Sequence, residues 1–236
     1  MIPRKVFWSE VSTAAVEDGW TVRLDAADLR TPAGHPFRVP SPALAEAIAQ
    51  EWRDQKDQIE PATMPMMQLA ATAIDRVRVH RAEVVAETAR YASTDLVCYR
   101  AEEPEELVQR QARHWQPILD WLAQHYDAPL TLVRGLMPVE QPPMALAALE
   151  RAVAARDDWA LTALAFATAA AGSLGVGLAL LDHRIDSETA FELAELDASW
   201  QIEQWGEDAE ATDRRLRLKA DLGAARRFLD LAASRC

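Results

Sequence analysis

The stretch QIEQWGEDAEATDRR, Gln201 to Arg215, sets five carboxylates around Trp205 and Gly206. Acids grouped in this way work as an acid and base pair, form a charged face that another protein grips, or simply lie on a solvated helix surface. Catalysis asks for more: a carboxylate with a displaced pKa in a closed pocket, and partners brought in from other segments. Asp95, in YASTDLVCYR, is the other acid of interest, readable as a general base or as a turn-forming cap ahead of the apolar residues 96–99. The histidines are His35, His80, His114, His125 and His183, and no two stand four apart, the spacing that puts two imidazoles on one helix face to hold a metal. The glycines of GSLGVG, Gly172 to Gly177, are in the wrong order for a dinucleotide fingerprint and lack the lysine of a phosphate loop, so close helix packing explains them better. Ser93 and Thr94 lie in no nucleophile elbow, and Cys98 sits in apolar sequence that favours a buried thiol. No cofactor and no metal is expected.

Half of the 236 residues are hydrophobic, enough to bury a core, and the formal net charge is −12. That balance argues against nucleic acid or an anionic membrane as partner, because binding phosphates needs concentrated Lys and Arg. The two cysteines, Cys98 and Cys236, form neither a disulfide framework nor a zinc cluster, which fits a reducing compartment. The opening MIPRKVFWSEV has no hydrophobic signal core, so the expected place is the cytoplasm, with an already processed chain as the alternative. One uncharged run, Trp159 to Leu181, has the length of a membrane span. Its many Ala, Gly, Ser and Thr residues insert poorly, and GSLG supplies a break with Ser173 as N-cap, so two buried helices are expected instead of membrane insertion.

These residues must be positioned by two kinds of structure. The first forty residues read as short strands joined by turns, VFWSEV, GWTVRLDA and DLRTPAGHPFRVP, with apolar and polar residues alternating through Trp20, Val22 and Leu24 and turn chemistry in TPAGHP, as in an antiparallel meander. A helix follows in SPALAEAIAQEWRDQ, with Ser41 as N-cap, Pro42 at the first position, and Leu44, Ile48 and Trp52 aligned every four residues. The proline- and methionine-rich IEPATMPMM marks the expected boundary near Ala62, giving a β-rich domain over 1–62 and a helical domain over 63–236. Helices are expected over 68–91, 104–125, 143–155, 158–171, 173–181, 187–204 and 208–233, so the fold class is α+β.

Several segments in order resemble the ATP12 family, the assembly chaperones of the F1 part of ATP synthase. They are FWSEV, the run GWTVRLDAADLRTPAGHPFRVPSPALAEAIAQEWRDQ, TMPMMQLAATAID, YASTDLVCYR with HWQPILDW, SLGVGLALLDHRI, and ELDASWQIEQWGEDAEA. The resemblance implies a protein that is not an enzyme, binds the free F1 α subunit and hides the surface that would meet the β subunit. It also implies a small β-containing domain joined to a larger all-helical one. The free protein is expected to be a monomer, in a bacterial cytoplasm, or in a mitochondrial matrix if a presequence has been removed. Trp52 matches a family tryptophan and reads as structural, as does Asp95. The family's functional glutamate lies near the WG pair, which makes Glu203 and Glu210 the candidates, with Glu207 and Asp208 also in play. Mitochondrial members have an aromatic residue and a histidine where this chain has Glu210 and Thr212, so the resemblance leaves the acid open. Trp205 is the expected aromatic anchor of the contact, with the acids steering association. The competing readings are a hydrolase-type enzyme joining Asp95 to an acid of 203–210, and an oligomerisation module.

Overall fold

The hairpin over Val11–Val16 (β1) and Gly19–Leu24 (β2) forms because Glu17 and Asp18 supply a tight turn between two alternating strands. Val11 pairs with Leu24 and Val16 with Gly19, and Ala27–Asp28 (β3) adds a short third strand in the order β1-β2-β3, all antiparallel. Gly19 is required there: its φ is +128°, and a Cβ would come within 2.4 Å of the Val39 carbonyl oxygen. The sequence places the first strand at VFWSEV, yet the turn at Glu17 fixes the hairpin register, so the strand begins at Val11. The computed structural model describes residues 5–135, 139–206 and 209–234.

Pro42–Arg53 (α1) packs on β1 and β2. The Ser41 hydroxyl accepts from the Leu44 N–H at 3.0 Å, Pro42 presets the first turn, and Leu44, Ala45, Ile48, Ala49 and Trp52 form the buried stripe. Opposite them lie Val22, Phe37 and Val39, all nearly or fully buried. Pro65–Thr72 (α2) continues into a π turn over Ala73–Val77, and Arg81–Ala89 (α3) follows, where sequence periodicity reads one helix over 68–91. The chain divides into two compact units, residues 1–81 with 227–236, and residues 82–226.

The second unit is a helical assembly, and sequence reading expects it to be almost entirely α; Tyr99–Arg100 (β4) and Val133–Arg134 (β5) add one short parallel pair. Its helices are Glu105–Tyr126 (α4), Pro143–Ala154 (α5), Asp158–Ala171 (α6), Leu174–Leu181 (α7), Ser187–Ala194 (α8) and Leu196–Trp205 (α9), with Ala209–Ala233 (α10) running on to Arg226 in this unit. Every residue of α7 is buried, against α4, α6 and α8. Gly172 ends α6 with φ +65°, and the Ser173 hydroxyl caps α7 by accepting from the Val176 N–H at 3.0 Å. A Cβ on Gly177 would lie 2.5 Å from the Thr168 hydroxyl, and one on Gly175 would crowd Leu122, Ile118 and Val97 at 3.1–3.5 Å, so these glycines set helix spacing. Among the described residues, no helix is long and apolar enough to cross a membrane.

Candidate partner-binding site

The acidic segment ends one helix and starts the next. Helix α9 closes at Trp205, and Gly206, with φ +87°, turns the chain out while its N–H still bonds the Ile202 carbonyl at 2.8 Å. A single helix is expected over 187–204, but Glu195 separates α8 from α9. Its side chain is buried, with Oε1 accepting from Arg214 at 2.9 Å and Oε2 accepting from Arg214 and Arg215 at 3.0 Å each. Arg215 also donates to the Ser199 hydroxyl at 3.1 Å and lies over the Phe191 ring. These bonds from the second turn of α10 draw it back toward α8 and α9, with Trp205 and Gly206 at the turn that closes α9.

At that turn the Trp205 side chain is 77% exposed. Glu210, in the first turn of α10, is exposed and makes no hydrogen bond or ion pair with the described residues. Glu203 is different: its two oxygens accept from the two terminal nitrogens of Arg110 on α4, at 2.7 Å each, and that hydrogen-bonded guanidinium holds its carboxyl below the usual glutamate range. Glu207 and Asp208 lie outside the described residues.

Asp95 lies elsewhere in this unit and is fully buried. Its Oδ1 accepts from the Ser173 hydroxyl at 2.5 Å and the Val97 N–H at 3.2 Å, and its Oδ2 accepts from the Gly175 N–H at 2.9 Å. The carboxylate therefore ties the turn over Leu96–Cys98 to the start of α7. Burial pushes its pKa up, against the lowering effect of those donors. None of its hydrogen-bond partners is an acid of the 203–210 segment. Burial likewise pushes the neighbouring Cys98 thiol up to about 12, with the Asp95 charge adding to the effect, so it is no thiolate at neutral pH. Among the described residues no group of three or more His, Cys, Asp or Glu side chains is placed to hold a metal.

Trp52, in the first unit, is 8% exposed. Its ring meets Trp8 edge to face at 5.0 Å, and Trp8 meets Phe7 in the same way at 5.1 Å.

Residues 5–123 match the family model described as ATP12 chaperone protein. Over 97% of its length the chain superposes on 98% of the crystal structure of Atp12 from Paracoccus denitrificans, with a TM-score of 0.92 and 41% sequence identity. The chain belongs to the ATP12 family. That membership makes it one of the ATP synthase assembly chaperones. A second structure, of a protein from Agrobacterium tumefaciens, matches with a TM-score of 0.91 and 41% identity over 97% of this chain and 86% of that one. The mitochondrial Atp12 protein of Schizosaccharomyces pombe is 24% identical over 221 residues, 88% of this chain and 76% of the relative.

The segments that carry the ATP12 resemblance have physical tasks in this chain. In EWRDQ, the Glu51 oxygens accept from the Met66 and Met67 N–H groups at 2.8 Å each, capping α2 from across a loop; burial raises the Glu51 pKa against that effect. Arg53 donates to the Val11 carbonyl at 3.1 and 3.2 Å, and Gln55 accepts from the Glu60 N–H at 2.7 Å and donates to the Thr63 hydroxyl at 3.0 Å. The motif closes the corner between β1, α1 and α2. Sequence reading missed Glu51, Arg110 and Glu195, because a charged residue on a helix reads as solvated until its distant partner is known.

Proposed function

We propose that this ATP12-family chain binds the free α subunit of F1 ATP synthase and covers its β-facing interface until assembly. The observation that carries the reading is Trp205, a large aromatic side chain left 77% exposed at the turn between α9 and α10. An exposed indole costs free energy in water and supplies a contact anchor when a partner covers it. An unassembled ring subunit exposes an apolar interface of its own, an aggregation hazard until its neighbour arrives. A chaperone need only cover it reversibly, with no reacting group and no cofactor.

The partner-binding segment comprises Glu203, Trp205, Glu207, Asp208 and Glu210, with separate roles. Trp205 is the anchor. Glu210, with Glu207 and Asp208, steers a basic patch of the α subunit into register. Glu203, paired with Arg110, holds α9 in place. Trp52 and Asp95 are structural. The free chaperone is a monomer, working in a bacterial cytoplasm, or in a mitochondrial matrix if a presequence has been removed.

The test is co-purification with separately expressed α and β subunits of the same organism's F1, followed by light scattering of α with and without the chaperone. Selective capture of α with suppressed scattering is expected. Capture of neither subunit, or of β alone, overturns the reading.

A further inference from the structure

Asp197, Gln201 and Trp205 recur every four residues along α9, so they stand in a row on one side of that helix. Asp197 and Gln201 line a cleft of about 430 Å³ in the helical unit, whose other walls include Arg100, Glu102 and Glu103. On helical rise, Trp205 stands about 6 Å beyond Gln201 along the axis. The cleft and the exposed indole therefore belong to one continuous strip of surface.

The chemistry of the cleft selects its occupant. Glu102, Glu103 and Asp197 bring three carboxylates to its lining, and Arg100 brings one guanidinium. Glu102 and Glu103 are exposed and make no hydrogen bond or ion pair with the described residues. Asp197 is partly engaged, its Oδ1 accepting from Gln111 at 2.8 Å. Arg100 is only 7% exposed and lies over the Trp115 ring at 5.3 Å. Its Nη1 donates to the Val97 and Tyr99 carbonyls, but its buried Nη2 has no acceptor among the described residues. That Nη2 is closed to solvent and so lies behind the wall of the cleft, while the exposed carboxylates make a rim that calls for a cation. An anion would meet the carboxylates, and among the described residues these acids are not grouped to hold a metal ion. A basic side chain supplies the complement of that rim, and a peptide that carries one has neighbouring residues to reach the exposed indole.

We propose that this cleft takes an arginine or lysine side chain from an extended segment of the α subunit, and that an apolar residue of the same segment packs on Trp205. Asp197 and Gln201 lie two turns and one turn before Trp205, so on an extended backbone the two client residues are about two to four positions apart. The inference rests on the proposed function and adds to it a second subsite and the pattern it reads.

The experiment is titration of the full chain with purified F1 α subunit, at low and physiological salt. It compares wild type with the Glu102→Lys/Glu103→Lys double variant, with Gln201→Arg, and with Glu192→Lys as a control on the exposed face of α8. All four substituted positions are exposed, so the melting temperature should hold. Both cleft variants are expected to bind α about tenfold or more weakly, with a shallower salt dependence for the double variant, and the control to bind within about twofold of wild type. Cleft variants that bind as tightly as wild type, while Trp205→Ala loses affinity, overturn the cleft and leave the chaperone reading standing. Wild type that does not bind α removes the chaperone reading and the cleft with it. A photo-crosslinker at position 103 gives an independent check: its product should map to an α-subunit segment holding Arg or Lys, and a segment without either overturns the proposal.

Discussion

Arg110 of α4 grips Glu203 of α9 through both terminal nitrogens, at 2.7 Å each, while the same guanidinium lies over the Trp200 ring at 5.1 Å. A two-pronged contact of this kind fixes the orientation of α9 more than it adds stability, because both partners reach solvent and water screens the charges. It also occupies the carboxylate. Glu203→Ala should therefore change the melting transition little and leave α-subunit binding within about threefold of wild type, whereas Trp205→Ala should weaken binding about tenfold or more. Isothermal titration of the two variants decides the matter; a larger loss at Glu203 than at Trp205 would make the acid the primary contact.

Trp52 makes the opposite case, in which stability responds and binding follows. The indole is enclosed beside Trp8, and its Nε1 has no acceptor among the described residues. Trp52→Arg drives a charge into that site, and we expect a loss of about 4 kcal/mol or more, seen as collapse of the soluble yield. Trp52→Phe keeps an aromatic ring and discards the unsatisfied donor, so its cost should be about 1 kcal/mol. Soluble fraction and urea midpoints report both, and a soluble, stable Trp52→Arg protein would sink the structural role.

The elements visible in sequence are those whose causes are local. Helix α1 follows from Ser41, Pro42 and a stripe recurring every four residues, and the join between α6 and α7 follows from Gly172 and Ser173. Helix propensity and periodicity report on neighbours three or four positions away. What they miss is set by long-range bonds: Asp95 meets Ser173 across 78 positions, and Arg110 meets Glu203 across 93. The split between α8 and α9 belongs to the same class, since Glu195 is claimed by arginines 19 and 20 positions on. The proline-rich stretch near Ala62 marks a change of composition, while the contacts of the first unit continue to Arg81. In the candidate site, Trp205 and the acids are legible as types, but which acid is already spent depends on Arg110.

Asp75 gives the first unit a dependence on acidity. It sits on the π turn after α2 and accepts from the Thr31 hydroxyl at 2.6 Å, from the Ala33 N–H at 3.1 Å and from His35 Nδ1 at 2.8 Å. Partial burial pushes its pKa up, but these donors prevail and hold it below the ordinary aspartate value. An acid with a lowered folded pKa stabilises above its unfolded value, about pH 4, and loses that contribution as pH falls through the folded pKa. The urea midpoint of wild type should therefore drop between about pH 5 and pH 2 more steeply than that of Asp75→Asn. Parallel profiles for the two proteins would show that Asp75 contributes nothing to acid sensitivity.

Asp95 distinguishes a structural acid from a catalytic one. Removing its carboxylate leaves the Ser173 hydroxyl and the Val97 and Gly175 N–H groups without their acceptor in a site closed to water. Each abandoned buried donor is costly, and relaxation recovers only part of the loss, so Asp95→Ala should destabilise the helical unit by about 3 kcal/mol. Asp95→Asn keeps one accepting oxygen but turns an amide donor toward one of those donors, and should fall between wild type and alanine. Hydrogen exchange locates the damage: faster exchange should concentrate in the first turn of α7 and in Leu96–Cys98, the two segments the carboxylate joins. If Asp95→Ala unfolds at the wild-type urea concentration, the clamp is dispensable and a chemical role for this buried acid becomes the reading to pursue.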